Sequence, residues 1–237
     1  MRASKRKRNA PAVTNHSDLQ VISRPAVPTD IKYDIACVVR TFEFSGVHWG
    51  TCLARAAVGN ATLIECGLTP RLVAGGMLYR VGPQRRRDTI RFCLPDNRGG
   101  YLAPTDSVSH LIGHVWNEID REIADFSAGD WQTETDRMCA SGTNLDDLRL
   151  GPVEWHVSPP EFIWQPAASL RAGWRSCGQP ALGQIWYGPW SNHIMPNFNA
   201  FDEVVAYALP IIADRVDELR LRERVADHLS ETRGPLR

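Results

Sequence analysis

The chain has 237 residues, which is enough for one domain with a sizeable core. Its 27 basic and 27 acidic residues cancel, and this balance argues against bulk attraction to nucleic acid or to an anionic membrane surface. We therefore expect a small molecule or a peptide as substrate, with no specific nucleic acid and no membrane as partner.

The six cysteines include no C-x-x-C pair, so neither a zinc knuckle nor a dithiol redox motif is predicted. Such thiols are typical of a reducing compartment, and we expect a cytoplasmic protein. Residues 1–29 are polar and proline-bearing, with a basic start but no apolar signal-peptide core. They are predicted to be a tail, and residues 30–237 a single domain with an aromatic-rich C-terminal extension.

Two helices are predicted after the tail. Apolar residues at helical spacing predict a first helix that is capped by Thr29 or Asp30 and ends near Gly46. A second helix is predicted from an N-cap at Thr51 to Gly67, where glycine ends it. Cys52 would then be its first residue, where free backbone N–H groups and the helix dipole favour a reactive thiolate. A free cysteine is more often a small buried hydrophobe, so this interpretation needs partner residues.

Two antiparallel hairpins follow. Alternating residues predict that the strand at 71–81 pairs with the strand at 89–94. The glycine pair Gly75-Gly76 inside the first of these strands indicates a bulge, or the close approach of a ligand or another backbone.

The second hairpin joins apolar segments at 111–119 and 122–126, folded about residues 118–121. This register places His114 directly opposite Asp125. Directly opposed residues share a face, with Cβ atoms about 4.5–5.5 Å apart. A slip of one residue would move the two to opposite faces.

The last third of the chain is aromatic-rich. Further strands are predicted at 155–165 and 183–187. A long helix is predicted from Asn199, with a kink at Pro210, and residues 220–237 either fray or contact a second subunit in a homodimer. The aromatic residues fit either an acyl pocket near the site or a second layer of core: Trp155, Phe162, Trp164, Trp174, Trp186, Tyr187, Trp190 and Phe198.

The cysteine, the histidine and the acid are the three parts of a thiol triad. Cys52 would attack a carbonyl carbon as the thiolate, and His114 would take its proton and later donate one to the leaving group. Asp125 would hold the imidazole in one tautomer and stabilise its charged form. The hypothesis is therefore acyl transfer through a thioester.

These residues resemble the transglutaminase-like superfamily, which has a papain-like fold. Gly50-Thr51-Cys52 resembles its Gly-x-Cys helix start, His114-Val115-Trp116 its His-x-Trp strand, and Ala124-Asp125-Phe126 its acidic position on the next strand. The resemblance covers residues 30–131 and is closest to a bacterial branch of the superfamily. It implies an α+β fold of N-terminal helices packed on an antiparallel sheet, with a long C-terminal helix. The short spacing from His114 to Asp125, and Phe126 in place of proline, depart from the family pattern.

The oxyanion site is less defined. No glutamine stands just upstream of Cys52, where papain-like enzymes carry an oxyanion donor. That role is assigned to the backbone N–H of Cys52 and to Trp49 or His48, with Trp116 as a further pocket residue.

The resemblance implies a cysteine-dependent acyl hydrolase or acyltransferase that acts on an amide, ester or thioester and uses no cofactor. Peptidases, amidases, transglutaminases and arylamine acetyltransferases all share this apparatus. The alternative is a catalytically inactive papain-like domain that serves as a binding or assembly module. A zinc site at His110 and His114 is disfavoured, because the pattern there indicates a strand and Leu111 stands where a metalloprotease has glutamate.

Overall fold

The computed structural model describes residues 26–44, 51–83, 88–91, 114–140, 153–174, 180–189 and 199–231. Within these ranges the chain has a mixed α+β fold of six α-helices and one antiparallel sheet of six strands. The helices are α1 (Thr29–Arg40), α2 (Thr51–Glu65), α3 (Trp131–Ala140), α4 (Ala167–Ala172), α5 (Asn199–Glu218) and α6 (Leu221–Glu231). The strands are β1 (Arg71–Arg80), β2 (Thr89–Arg91), β3 (His114–Ile119), β4 (Glu122–Asp125), β5 (Ile163–Pro166) and β6 (Ile185–Pro189). The predicted α+β class is confirmed.

Helix α1 forms where the apolar spacing predicts it. Its apolar stripe, from Ile31 to Val39, is buried against the sheet and the C-terminal helices. The helix ends at Arg40, before the predicted end near Gly46, which lies outside the described residues. It ends there because Thr41 closes the last turn, donating its N–H to carbonyl oxygens of that turn.

Helix α2 carries the candidate nucleophile. Thr51 is its first residue rather than the preceding cap, so Cys52 is the second residue and still lies in the first turn. The helix ends before Gly67, whose φ of 81° is the left-handed conformation that glycine adopts freely. Ala56 packs against Val115 of β3, because small side chains allow this helix to approach the sheet closely.

Strand β1 organises the sheet, since it pairs with β2, β3 and β6. Its pairing with β2 confirms the first predicted hairpin. Gly75 is in register with both His114, where β3 begins, and Pro189, where β6 ends. A Cβ atom at Gly75 would lie 2.2 Å from the carbonyl oxygen of Gly188 and 2.5 Å from the ring of Trp116. The predicted close approach of another backbone is therefore confirmed.

The hairpin of β3 and β4 is present, but its register is not the predicted one. Ile119 pairs with Glu122 across a two-residue turn. The turn is possible because Asp120 adopts a left-handed conformation, with φ of 55°. The sequence lacks the glycine that usually marks such a turn, and for that reason the predicted turn was centred one residue too early.

In the observed register, His114 and Asp125 still lie on the same face of the sheet. Continuing the pairing places Asp125 opposite Trp116, two residues from the predicted partner His114. Because side chains alternate with a period of two, a shift of two residues keeps both on the same face. His114 and Asp125 are therefore diagonal neighbours, a separation that long side chains can bridge.

Both faces of the sheet are buried. One face packs on α2 through side chains that include Ile119, Ala124 and Phe126, and α1, α5 and α6 extend the same core. The other face carries Trp116, Ile123 and Tyr187, and it packs against α3 and α4 through Trp131 and Leu170. Because residues alternate along β3 and β4, His114 and Asp125 belong to this second face.

The aromatic-rich region contributes two strands and part of the core. Strands β5 and β6 lie within or next to the predicted segments, and residues 153–162 form no strand. Trp164, Trp186 and Tyr187 are buried. Trp190 and Phe198 lie outside the described residues. Trp164 belongs to the core on one face of the sheet and Tyr187 to the core on the other face.

The C-terminal helices pack on the rest of the chain. Asn199, predicted as the N-cap, is the first residue of α5, and the helix continues through Pro210. Arg220, with φ of 51°, separates it from α6. Arg224 of α6 forms ion pairs with Asp30 and Asp34 of α1, so this part of the C-terminal segment is docked within its own chain. None of the helices in the described part of the chain is both long and apolar enough to cross a lipid bilayer.

Candidate active site

Three elements bring Cys52, His114 and Asp125 together. Cys52 is the second residue of α2, His114 is the first residue of β3, and Asp125 is the last residue of β4. The His114 side chain is 0% exposed and that of Asp125 is 1% exposed. Cys52 is also buried, with 8% of its surface exposed. The site therefore lies where the start of α2 meets one end of the β3–β4 hairpin.

His114 links the other two residues. Its Nε2 donates a hydrogen bond of 2.5 Å to Oδ2 of Asp125. The Cys52 side chain lies near enough to the imidazole to raise the pKa of His114. Because Asp125 holds Nε2, Nδ1 is the ring nitrogen left to exchange a proton with the thiol.

Asp125 accepts hydrogen bonds on both carboxylate oxygens. Oδ2 accepts the bond from His114 and a second one, 2.7 Å long, from the hydroxyl of Tyr187 on β6. Oδ1 accepts the backbone N–H of Ser127 at 2.9 Å and its hydroxyl at 2.7 Å. Donors on both oxygens fix the plane of the carboxylate and favour its charged form.

Aromatic rings surround the imidazole. The centroid of the His114 ring lies 6.1 Å from that of Trp116, with the rings 28° from parallel. It lies 5.8 Å from Trp131 of α3, at 72°, and 5.9 Å from Tyr187 of β6. These rings exclude water, and the low local dielectric strengthens the hydrogen bonds within the cluster.

Burial and charge act in opposite directions on the pair. Burial alone would lower the pKa of His114, but the charge and hydrogen bond of Asp125, with a smaller effect of Cys52, raise it to about 10. Burial also disfavours the charged form of Asp125, and on its own it would raise the pKa of that carboxyl group. The charge of His114 and the hydrogen bonds from His114, Ser127 and Tyr187 instead hold that pKa below its usual value. At neutral pH the pair is therefore an imidazolium and a carboxylate.

A second carboxylate lies at the start of the nucleophile helix. Glu134 of α3 is buried, and its Oε1 accepts the backbone N–H of Thr51 at 2.5 Å. This contact satisfies one of the N–H groups that a helix leaves free at its start. It also means that the N–H of Thr51 is not available to a substrate oxyanion, whereas Cys52 follows directly in the same first turn.

Of the three residues predicted for the oxyanion site and the pocket, the structure describes only Trp116. Trp116 is fully buried beneath the imidazole, and its Nε1 donates to Glu118 at 3.1 Å. Its N–H is therefore engaged by a carboxylate and does not serve as an oxyanion donor. Trp49 and His48 lie outside the described residues.

No metal cluster is formed in the part of the chain that the structure describes, where three or more His, Cys, Asp or Glu side chains nowhere converge. His110 lies outside that part.

Two contacts of the site were not predicted. Tyr187 is predicted only as one of a group of aromatic residues, and no role is predicted for Glu134. The only available signal for Tyr187 was a hydroxyl in an otherwise apolar segment, whereas Glu134 stands among polar residues and gives no such signal.

Comparison with known proteins gives a likeness in fold alone. No family model matches the chain, and no curated protein matches it. The structure is similar to a solved one described as the crystal structure of genomics APC5867, with a TM-score of 0.51 and 13% sequence identity. The match covers 79% of each chain.

Proposed function

We propose that this chain is a cysteine-dependent acyl hydrolase or acyltransferase that acts on an amide, ester or thioester. We further propose that it belongs to the transglutaminase-like superfamily and has a papain-like fold. The observation that carries the proposal is the buried His114–Asp125 pair, with Cys52 near enough to the imidazole to raise its pKa. A thiol at a helix start, an imidazole and a carboxylate, in this order, are the parts that acyl transfer through a thioester requires.

The first half-reaction forms the thioester. The Cys52 thiolate attacks the carbonyl carbon, a sulfur–carbon bond forms, and the carbonyl π electrons move to oxygen. An imidazolium beside a thiol favours the thiolate, which is the attacking form. When the tetrahedral intermediate collapses, the bond to the leaving group breaks. His114 donates its proton to that group and becomes neutral.

The second half-reaction releases the product. Water or an acceptor amine loses a proton to His114 as it attacks the thioester carbon. Collapse of this intermediate breaks the carbon–sulfur bond and returns the Cys52 thiolate beside an imidazolium. Asp125 stays ionised throughout, and it holds the ring with Nδ1 available to the sulfur.

Alkylation of the free cysteines tests the proposal without a substrate. Cys37 is exposed, whereas Cys52 and Cys66 are buried. An exposed ordinary thiol should react first, and below pH 7 it reacts slowly because its pKa is about 8.5. We expect iodoacetamide at pH 6 to label Cys52 faster than Cys37, despite the lower exposure of Cys52, as read by peptide mass spectrometry.

Two variants control this experiment. His114→Gln should abolish the fast labelling while leaving Cys37 unchanged, and Cys52→Ala should remove the fast phase. If Cys37 reacts first in the native protein, the catalytic proposal fails and a binding or assembly domain becomes the better description. If Cys52 reacts first, a screen with acyl-directed activity-based probes, with Cys52→Ala as its control, identifies the substrate class.

A further inference from the structure

The hydroxyl of Tyr187 donates a hydrogen bond to Asp125, and the thiol mechanism does not require this hydrogen bond. Tyr187 lies on β6 opposite Met77 of β1, two residues beyond Gly75. Its hydroxyl donates to Oδ2 of Asp125 at 2.7 Å, the same oxygen that accepts Nε2 of His114.

We propose that Tyr187 is a positioning residue of this site, which sets the orientation and strength of the His114–Asp125 hydrogen bond by donating to the oxygen that His114 uses. This inference rests on the proposed function, because it concerns the same imidazole and carboxylate. Tyr187 acts through Asp125 and has no assigned contact with substrate.

The geometry gives Tyr187 two effects. First, the donors of Ser127 hold Oδ1 while Tyr187 and His114 hold Oδ2, so the carboxylate cannot rotate away from the ring. Second, a hydroxyl bonded to Oδ2 takes up part of its negative charge. Less of that charge then acts on the imidazolium, and this moderates how tightly His114 holds its proton.

Gly75 permits this arrangement. The His114 and Tyr187 rings lie 5.9 Å apart, on strands that both pair with β1 around Gly75. A side chain at Gly75 would meet the Trp116 ring and the backbone of β6. The glycine therefore allows residues from β3 and β6 to converge on one carboxylate.

Titratable groups approach His114 from several elements. They are Cys52 of α2, Asp125 of β4 and Tyr187 of β6, with Glu134 of α3 bound to the residue next to Cys52. The tryptophans of β3 and α3 that pack on the ring carry no charge. Of the polar groups, Tyr187 is the one whose hydroxyl can be removed without changing a formal charge at neutral pH.

The test is a titration of His114 with and without this hydroxyl. Tyr187→Phe is made in a Cys52→Ala background, so that the thiol does not titrate, and the matched control is Tyr79→Phe in the same background. Tyr79 is equally buried, but its hydroxyl donates to the backbone carbonyl of Ser158 at 2.8 Å. The His114 signal is followed by NMR with ¹³C-labelled histidine and is assigned by its loss in His114→Gln.

We expect Tyr187→Phe to move the His114 midpoint upward by about half a unit to one unit, because the undivided charge of Oδ2 then acts on the imidazolium. Tyr79→Phe should leave the midpoint unchanged, although both variants lose one buried hydrogen bond. An unchanged or lowered midpoint in Tyr187→Phe would overturn the proposal. These results are independent of the iodoacetamide experiment, so slow labelling of Cys52 combined with a raised midpoint would reject the catalytic proposal alone.

A second measurement covers the case in which Tyr187→Phe does not fold. Incorporation of 3-fluorotyrosine keeps every hydroxyl and makes it a stronger donor. We expect the His114 midpoint to move downward in the fluorinated Cys52→Ala protein, and equally in its Tyr79→Phe form. No change in either protein would contradict a role for the Tyr187 hydroxyl.

Discussion

The two ends of strand β4 carry carboxylates with similar partners, Asp125 buried and Glu122 partly buried. Each accepts hydrogen bonds from one basic side chain and one aromatic side chain. At Glu122 these donors are Lys32 at 2.7 Å and Trp164 at 2.9 Å, and at Asp125 they are His114 at 2.5 Å and Tyr187 at 2.7 Å. The two residues lie three positions apart, so they face opposite sides of the sheet.

The difference between the two ends lies in what the basic partner touches. Lys32 joins α1 to the sheet and lies over the Trp164 ring. His114 lies beside Cys52, which acts on the pKa of its imidazole. Both ion pairs are largely shielded from solvent, with side-chain exposures of 11% and 13% at the Glu122 end. Burial of a charged pair therefore does not by itself indicate a reactive site, whereas a titratable base in contact with a nucleophile does.

The largest expected effect comes from removing the Asp125 charge. Asp125→Asn removes the counter-ion that holds the buried imidazole of His114 in its charged form, and loss of this ion pair should cost about 3 kcal/mol of unfolding free energy. It should also slow Cys52 alkylation at pH 6 by about 100-fold, because His114 is then neutral and misoriented. Urea denaturation and timed labelling measure the two effects.

Glu122→Gln is the matched control. It breaks the other ion pair and should cost roughly 2 kcal/mol, since Lys32 is then left without its partner. Alkylation of Cys52 should keep its native rate. A comparable slowing in both variants would mean that labelling follows general stability rather than the chemistry of Asp125.

An intermediate effect is expected from pH. The folded-state pKa of His114, about 10, exceeds the unfolded value of about 6.5. The stability that His114 contributes is thus fully present below pH 6.5 and is lost as the pH rises towards 10. The lowered pKa of Asp125 gives the opposite sign, so its contribution is present above about pH 3.9 and is lost on acidification.

Urea denaturation between pH 6 and pH 10.5 measures the alkaline part of this dependence. We expect the native protein and Glu122→Gln to lose stability in parallel over that range. His114→Gln should show a flatter curve. Equal slopes in all three proteins would show that the imidazole is not charged in the folded state.

The smallest expected effect concerns the aromatic donor at the Glu122 end. Trp164→Phe removes the 2.9 Å hydrogen bond to Glu122 but keeps most of the buried ring. We expect a loss of about 1–2 kcal/mol in unfolding free energy, with no change in the His114 titration. A shift of the His114 midpoint in this variant would show that the two ends of β4 are coupled.

Much of the fold could be predicted because its signals are local. The start of α2, the glycine that ends it and the β3–β4 hairpin all follow from the spacing of apolar residues and from Gly67. The hairpin register could not be predicted in this way, because an aspartate at position 120 is a weak signal for a left-handed turn residue. The face shared by His114 and Asp125 was nevertheless predicted correctly, since the error was an even number of residues.

The remaining contacts of the candidate site depend on pairing between distant segments. Tyr187 reaches Asp125 only because β6 pairs with β1, far away in sequence. Glu134 reaches Thr51 only because α3 lies against the start of α2. No local period encodes either contact. The site is thus predictable to the extent that one hairpin and one helix start define it.

The turn between β3 and β4 also predicts which length changes this region can accept. Adding or deleting two residues would slide the strands and change which side chains are opposite each other, but Asp125 would keep its face. A single residue added to either strand, with the turn kept at two residues, would turn Asp125 towards the face that packs on α2 and place Phe126 beside the imidazole. Homologous chains that retain the histidine, the acid and a two-residue turn should therefore differ by even numbers in the count of residues between His114 and Asp125.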